Sequence, residues 1–507
     1  MQAATSTRWI VLALVALFGF GCTGTRERSS LAPKTPGRSS SRPAEAPLAP
    51  PPAPAVSHIE PSPPSGPVEA IKPAEYLDES AGDESVDGQV SVAEYAEFSA
   101  MADGLTLEAL EQLAFENNPS IRQASAVAAK ADGIWTQVGL KPNPQLGYFG
   151  EEIGNENSGG LQGAFVSQTF VTGGKLRQNR QVIGHDIQVV RWQVEAQRFR
   201  VRTDIRTRFY TALAAQRRLE LAREFRKVAG RGLKVAEDRL QARVGARPDV
   251  LQSEIQMNEV ELLIQRAEFE FEAAWNELLA IAGVPDMAPV ELVGELRTPD
   301  ETRDFETVYQ QIIDQSPVLM AAYSQVHRTR ANLERQRAQP IPNVLARAGA
   351  GHDNSTGNEF ANVQISLPLP VHNRNQGNVA AAYAEYCEAT QNVSRIQLQI
   401  RRSLARVMRE YQASAATVQR YEKVILPKAT ETMDLMQQAQ EAGEFDFLRV
   451  LTARRMFFDA NLQYVTALGG LARSGAEIEG LLLTGGLSNV VSYDARDDLR
   501  GQALNWR

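Results

Sequence analysis

The side chains able to carry acid–base, nucleophilic or metal chemistry are few and far apart. Histidine occurs five times, at His58, His185, His327, His352 and His372, and cysteine twice, at Cys22 and Cys387. A zinc site needs converging ligands, often announced by pairs three or four residues apart on one helix face. No histidine here stands at that spacing from another histidine or a cysteine. His352 and His372 flank a run with strand character and could approach each other. The sequence also lacks a G-x-S-x-G elbow, a phosphate-cradling glycine loop with its lysine, and a nucleophile with an identifiable base. The expectation is a protein that is not an enzyme, with no cofactor and no resident metal.

The informative residues are instead those that turn the chain. In "SLPLPVHNRNQG", Ser366 to Gly377, a strand-like run ends on Pro368 and Pro370 and passes into a polar segment. Proline removes a ladder hydrogen bond, so these two belong at a strand's exit. Before them Ala361, Val363, Ile365 and Leu367 alternate with Asn362, Gln364 and Ser366, which predicts a strand with one apolar face. Gly377 is expected to open the helix that follows. The counterpart is "SQTFVTGGKLRQ", where Gly173 and Gly174 stand in place of the prolines.

These turns recur because the chain is duplicated. Pro119, Pro142 and Pro144 lie 198 positions before Pro317, Pro340 and Pro342, and Gly245 lies 198 before Gly443. Gly283 and Gly485, 202 apart, are expected to terminate the last helix of each copy. Fixed register over such a length marks two copies of one unit. Each begins helically (106–140 and 305–339), passes a Pro-x-Pro pair into two short strands, and continues into a very long helix. Ile187, Val190, Val194, Val201, Ile205, Phe209 and Ala212 form a narrow apolar stripe in the first copy, and Val393, Ile396, Ile400, Leu404, Val407 and Tyr411 in the second. Such stripes fit coiled-coil packing. Each long helix then turns back, at "VGARPDVLQSE" and "AGEFDFLRVLTA", where Gly can cap one helix and Asp start the next.

The first residues have a different character. Arg8 precedes twelve apolar residues, Trp9 to Phe20, too few to span about 30 Å of hydrocarbon, which predicts an export signal. Gly21-Cys22 resembles the bacterial lipoprotein box and would make Cys22 the lipidated first residue. Thirteen of the 26 prolines fall between residues 31 and 73, an extended tether. Glu69 to Glu116 holds thirteen acids against one lysine, whereas Val171 to Val250 holds nineteen Lys/Arg against eight acids. The arginine-rich part of that segment lacks the spaced aromatics of a single-strand binder, and no nucleic-acid partner is expected. No later segment has 18 uninterrupted apolar residues, so a membrane crossing would use strands.

Four strands cannot close a barrel, and open edges are excluded from hydrocarbon, so strands in a membrane would need several chains to share one barrel. The alternative is a water-soluble helical bundle carrying two hairpins. From about Leu105 to Gly485 the layout resembles the TolC-like outer membrane factors, and "PLPVHNRNQG" is most similar to the branch serving heavy-metal cation efflux. The resemblance implies a mostly α fold with a small β part: a homotrimer with a twelve-stranded outer-membrane barrel in contact with lipid, continued by a periplasmic helical tunnel. It implies docking on a periplasmic adaptor protein and an inner-membrane transporter of the RND type. By the same resemblance Val244, Gly245, Asp249, Val250 and Leu251, with Gly443, Asp446, Phe447 and Leu448, match the tips that contact the adaptor and narrow the tunnel. Asp446 and Arg449 are the constriction candidates, with Arg449 standing where some members have a second acid. The expected organisation is a signal over 1–21, a tether over 22–104, repeats over 105–290 and 291–486, and a polar tail over 487–507. Drug efflux or type I protein secretion through the same duct, and a pore-less lipoprotein scaffold, remain the alternative functions.

Overall fold

The computed structural model describes residues 104–154, 159–296, 303–441, 447–489 and 491–493. The export signal, Cys22 and the tether, together with Gly443 and Asp446, lie outside the described residues.

Each copy opens with two helices where one was expected: α1 (Leu107–Asn117) and α2 (Pro119–Val138), then α5 (Phe305–Gln315) and α6 (Pro317–Ala338). The breaks fall at Pro119 and Pro317, which sit at the first helical position because proline has no N–H to donate there. Asn118 and Ser316 cap the new helices through their side chains. Asn118 is fully buried and its Nδ2 also donates to Ile281 O at 2.7 Å, tying this corner to the end of a distant helix. A short parallel pair, β1 (Leu105–Thr106) with β4 (Leu292–Val293), closes the same region.

The four longer strands, β2 (Gln145–Glu151), β3 (Leu161–Phe170), β5 (Val344–Asp353) and β6 (Asn358–Ser366), form one antiparallel sheet in the order β2-β3-β5-β6. Its register puts Leu146 opposite Val166, Val166 opposite Ala348, and Ala348 opposite Val363. That face is apolar yet open: Leu146 is 80% and Val363 78% exposed. The other face carries Phe149, Phe165, Phe360 and Arg347, with Arg347 3.7 Å from the Phe165 ring centroid. Glycines lie under these rings. A Cβ on Gly147 would come within 2.5 Å of Phe165, and one on Gly163 within 2.7 Å of Phe149. Phe149 is the one buried apolar side chain on these four strands. The aliphatic side chains Leu146, Val166 and Val363 thus lie on an open face, the inside-out pattern of a membrane-barrel strand.

The sheet leads into the long helices. α3 (Lys175–Gln241) runs 67 residues without interruption and returns as α4 (Arg247–Ala282). In the second copy α7 (Gln376–Arg420), a π turn (Tyr421–Ile425) and α8 (Leu426–Glu441) make the descent, and α9 (Phe447–Glu479) returns. The stripes are buried as expected: Val190, Val201, Ile205, Phe209 and Ala212 on α3, and Val393, Ile396, Leu404, Val407 and Tyr411 on α7. Two main clusters result, one around Phe209, Trp275, Leu278 and Leu279, the other around Leu404, Val407, Tyr411 and Leu471. Gly283 ends α4 in the left-handed conformation. Gly485 does not play this part in the second copy: α9 stops at Glu479, with Leu481 and Leu482 taking the positive φ values. Gly485 and Gly486 instead donate their N–H groups to the two carboxylate oxygens of Asp204. Among the described residues no helix is long and apolar enough to cross a membrane.

Candidate functional site

Two regions collect the residues singled out by the sequence: the corner where sheet becomes helix, and the far tip of the helical hairpins.

At the first corner Gly173 and Gly174 have φ of +67° and +66°, a conformation that costs an L side chain about 1–2 kcal/mol. Gly174 is the N-cap of α3. In the second copy β6 ends at Ser366, before Pro368 and Pro370, and the N-cap of α7 is Asn375 with φ +61°. Gly377 therefore does not open the helix. It is the second helical residue, and the left-handed step is taken by Asn375, a residue type whose short polar side chain tolerates that region. The counterpart of Gly174 is thus Asn375, not a proline. Asn375 Nδ2 donates to Gln336 O at 2.8 Å, fastening α7 to α6.

Between the copies the corner is stitched by buried polar groups. Lys175 Nζ donates to Asn343 Oδ1 at 2.9 Å and to the Ile341 carbonyl, while Thr172 N donates to Asn343 Oδ1 at 3.3 Å. Arg335, fully buried, donates Nε to Asn179 Oδ1 at 2.9 Å, and its two Nη atoms have no partner among the described residues. Burial, then the nearby Arg335 charge, lowers Lys175 to about 8, and burial lowers Arg335 to about 10. None of these four side chains was singled out in the sequence. Their signal is positional: α6 runs toward the corner and α3 away from it, so residues equally far from the turn must meet.

The first tip differs from its expected caps. Arg243 takes the left-handed conformation at φ +56°, and Val244 and Gly245 both donate N–H to Arg239 O at 3.0 Å. A Cβ on Gly245 would stand 2.9 Å from Arg239 Cβ, so glycine serves close approach there. Asp249 is the third residue of α4, accepting from Ala246 N at 3.3 Å. Val250 is buried against Ala236, Leu233, Leu240 and Leu451, so it holds the hairpin together and is withdrawn from outside contact. Val244 and Leu251 are exposed, at 67% and 45%. At the second tip Phe447 and Leu448 start α9 and Arg449 is exposed.

Three arginines of the arginine-rich run of α3 are paired within the chain. Arg206 pairs with Glu111 at 2.5 Å, Arg198 with Glu195 at 3.0 Å, and Arg208 with Glu277. His352 and His372 stay apart. His352 pairs with Glu359 near the outer end of the sheet, and His372 lies beyond the exit of β6, more than seven residues and so over about 20 Å along the strand. Among the described residues no group of three or more His, Cys, Asp or Glu side chains is placed to hold a metal.

A sheet with an open apolar face, continued by paired helical hairpins, is the fold of an outer-membrane channel subunit. The structure resembles CusC (TM-score 0.61, 17% identity, covering 75% of this chain and 92% of that one), and VceC of Vibrio cholerae (0.59, 18%, 75% and 96%). In sequence it is 25% identical over 381 residues to the cobalt-zinc-cadmium resistance protein CzcC of Cupriavidus metallidurans, 75% of this chain and 90% of that protein. The outer membrane efflux protein profile matches twice, over residues 110–284 and 308–482, again 198 positions apart, and the chain belongs to that family. It is accordingly an outer-membrane efflux channel protein whose helical part extends into the periplasm.

Proposed function

We propose that this chain is the passive exit duct of a tripartite efflux system for heavy-metal cations. Three copies share one twelve-stranded barrel, and the helical tips dock on a periplasmic adaptor served by an inner-membrane transporter of the RND type. The observation that carries the trimer is the sheet itself: β2 and β6 are both unpaired at its edges, which hydrocarbon does not tolerate, and pairing β6 of one copy with β2 of the next removes both edges. Ile255, Leu262 and Phe269 support it. They stand at spacings of seven on one face of α4 and are all exposed, an unfilled coiled-coil seam. The metal cargo is suggested by the relative named for cobalt, zinc and cadmium resistance. In this reading Cys22 is acylated, and Val244 and Leu251 lead the adaptor contact with Gly245 and Asp249 shaping the tip.

Scattering mass in mild detergent tests the assembly, with three chains per particle expected and one chain fatal to the duct. Deleting the gene tests the cargo. Sensitivity to zinc, cobalt and cadmium salts is expected, and a strain sensitised only to organic toxicants would reassign the duct to drug export.

A further inference from the structure

One cluster lies outside everything assigned so far. His185 on α3 and His327 on α6 are 142 positions apart in sequence, yet their rings stack with centroids 5.8 Å apart and planes 26° apart. His185 is half-buried and His327 exposed. From this geometry we infer that the two imidazoles form a binding site for one borderline divalent cation such as Zn²⁺, Ni²⁺ or Co²⁺, completed by water.

The separation suits a shared ion. With N–metal bonds of about 2.0–2.1 Å, two imidazoles on one ion have ring centres about 5–6 Å apart. The stacked rings do not yet aim their nitrogens at a common point. Sharing one ion requires each ring to turn about its second side-chain torsion, which for histidine is broad and soft. Both Cα positions can stay where helix packing holds them.

The surroundings define what the site would take. Asp186, the adjacent residue, has its carboxylate engaged by Arg328 at 3.0 Å and by the Tyr493 hydroxyl at 3.4 Å. The same ion pair neutralises Arg328, the residue after His327. A donor set of two nitrogens and water favours zinc, nickel, cobalt and copper over calcium and magnesium, which demand oxygen ligands. One site per chain would place three around the duct, about ten residues below the barrel corner on each α3. The role of such an ion as cargo in passage rests on the metal-efflux reading; the binding site itself does not.

The test uses the full-length protein in detergent, purified without a histidine tag, and titrated with Zn²⁺, Ni²⁺, Ca²⁺ and Mg²⁺ by calorimetry and by thermal shift. Expected are one zinc per chain, a zinc-dependent rise in melting temperature, no response to Ca²⁺ or Mg²⁺, and weakening as pH falls below about 6. His185→Gln and His327→Gln should each weaken zinc binding at least tenfold, while their metal-free melting curves show whether the variants fold. Wild-type protein that binds no zinc, or a double variant with an unchanged isotherm, would leave only a ring-stacking pair and overturn the site. A gene deletion without metal sensitivity, alongside intact zinc binding, would instead overturn the cargo reading and leave the site standing.

Discussion

The two sides of the second copy's corner meet the same kind of neighbour under different conditions. Toward the first copy the seam is inside the chain, where Lys175, Asn179, Arg335 and Asn343 are all buried. The equivalent positions face outward: Gln137 and Gln145 lie 198 positions before Arg335 and Asn343, and Gln376 and Ala380 follow Asn375 as Lys175 and Asn179 follow Gly174. All four of these are exposed in the single chain. The duplicated unit thus presents one surface that is sealed within the chain and another that is left open. The chemistry differs accordingly. The covalently linked seam tolerates two buried cations, whereas the four equivalent positions on the open side are neutral, so covering them would bury no charge there.

The largest effect expected from breaking this contrast is at Asn343. Its Oδ1 accepts from both Lys175 Nζ and Thr172 N, so Asn343→Leu removes one acceptor from a buried ammonium and the acceptor of a backbone N–H, at a cost on the order of 3 kcal/mol. A strongly lowered unfolding temperature, or loss of folded protein, is the expected outcome. Gln145→Leu at the equivalent open position should leave each chain folded and change only the assembly. Equal melting curves for the two variants would remove the distinction between sealed and open seams.

Next in size is the turn. Gly173→Val places a branched side chain at φ +67° with its Cβ about 3.0 Å from Ile341, and should cost about 1–3 kcal/mol. Gly174→Asn should be nearly neutral: the site has open space, and Asn375 already adopts that conformation in the other copy. If the asparagine variant melts as far below wild type as the valine variant, the two corners are not conformational equivalents.

A smaller effect is expected from pH. The folded-state value of Lys175 is about 8 against an ordinary 10.5, so between those limits the unfolded chain binds more protons than the folded one. Stability from this group therefore rises as pH increases from about 8 toward 10.5 and is lowest below 8, where the buried lysine is charged. Lys175→Met should abolish that rise and melt higher than wild type at pH 7. A wild-type melting temperature that falls over the same window, with no difference in the variant, would show that the lysine is solvated in the assembled duct.

Much of this arrangement was legible in the sequence because it rests on local chemistry. Prolines 198 apart mark the starts of α2 and α6, alternation from Ala361 to Leu367 marks the open face of β6, and three-four spacing marks the buried stripes of α3 and α7. The parts that were not legible depend on register between distant elements. Lys175 with Asn343, Arg335 with Asn179, and His185 with His327 all join α3 to the segment leading into β5, and only the antiparallel run of α3 and α6 brings them level. Residue-type rules also misassigned several turns. Arg243 and Asn375 take left-handed positions for which glycine was the expected occupant, while Gly245 and Gly485 meet needs of close approach and of anion contact. Pairing His352 with His372 failed because closeness to one strand says nothing about which end of it a residue occupies.

The smallest predicted effect concerns the long helices, where the copies differ most visibly. The first descends 67 residues unbroken; the second takes 45 residues of α7, five of π turn and 16 of α8 to cover nearly the same span. Pro427 explains the interruption. It has no N–H, and its ring would collide with the carbonyl of residue 423 in a regular helix. The π turn just before it widens the spiral, and Leu426 N bonds back to Tyr421 O, five residues away. The irregular turn thus contains a strain that α3, without an internal proline, never meets. Pro427→Ala restores the missing donor and removes the clash, so α7 and α8 can merge into one regular helix. Loss of the π turn would shift every residue of α8 by about 100° relative to α7, turning its packed side chains away from α9. The gain in helix regularity and the loss in packing oppose each other, and a net change within about 1 kcal/mol is expected. Amide exchange at Tyr421 to Leu426 is the sensitive readout. Slower exchange in Pro427→Ala, with little change in melting temperature, would mark the proline as the cause of the break, whereas an unchanged pattern would place the cause in packing against α9.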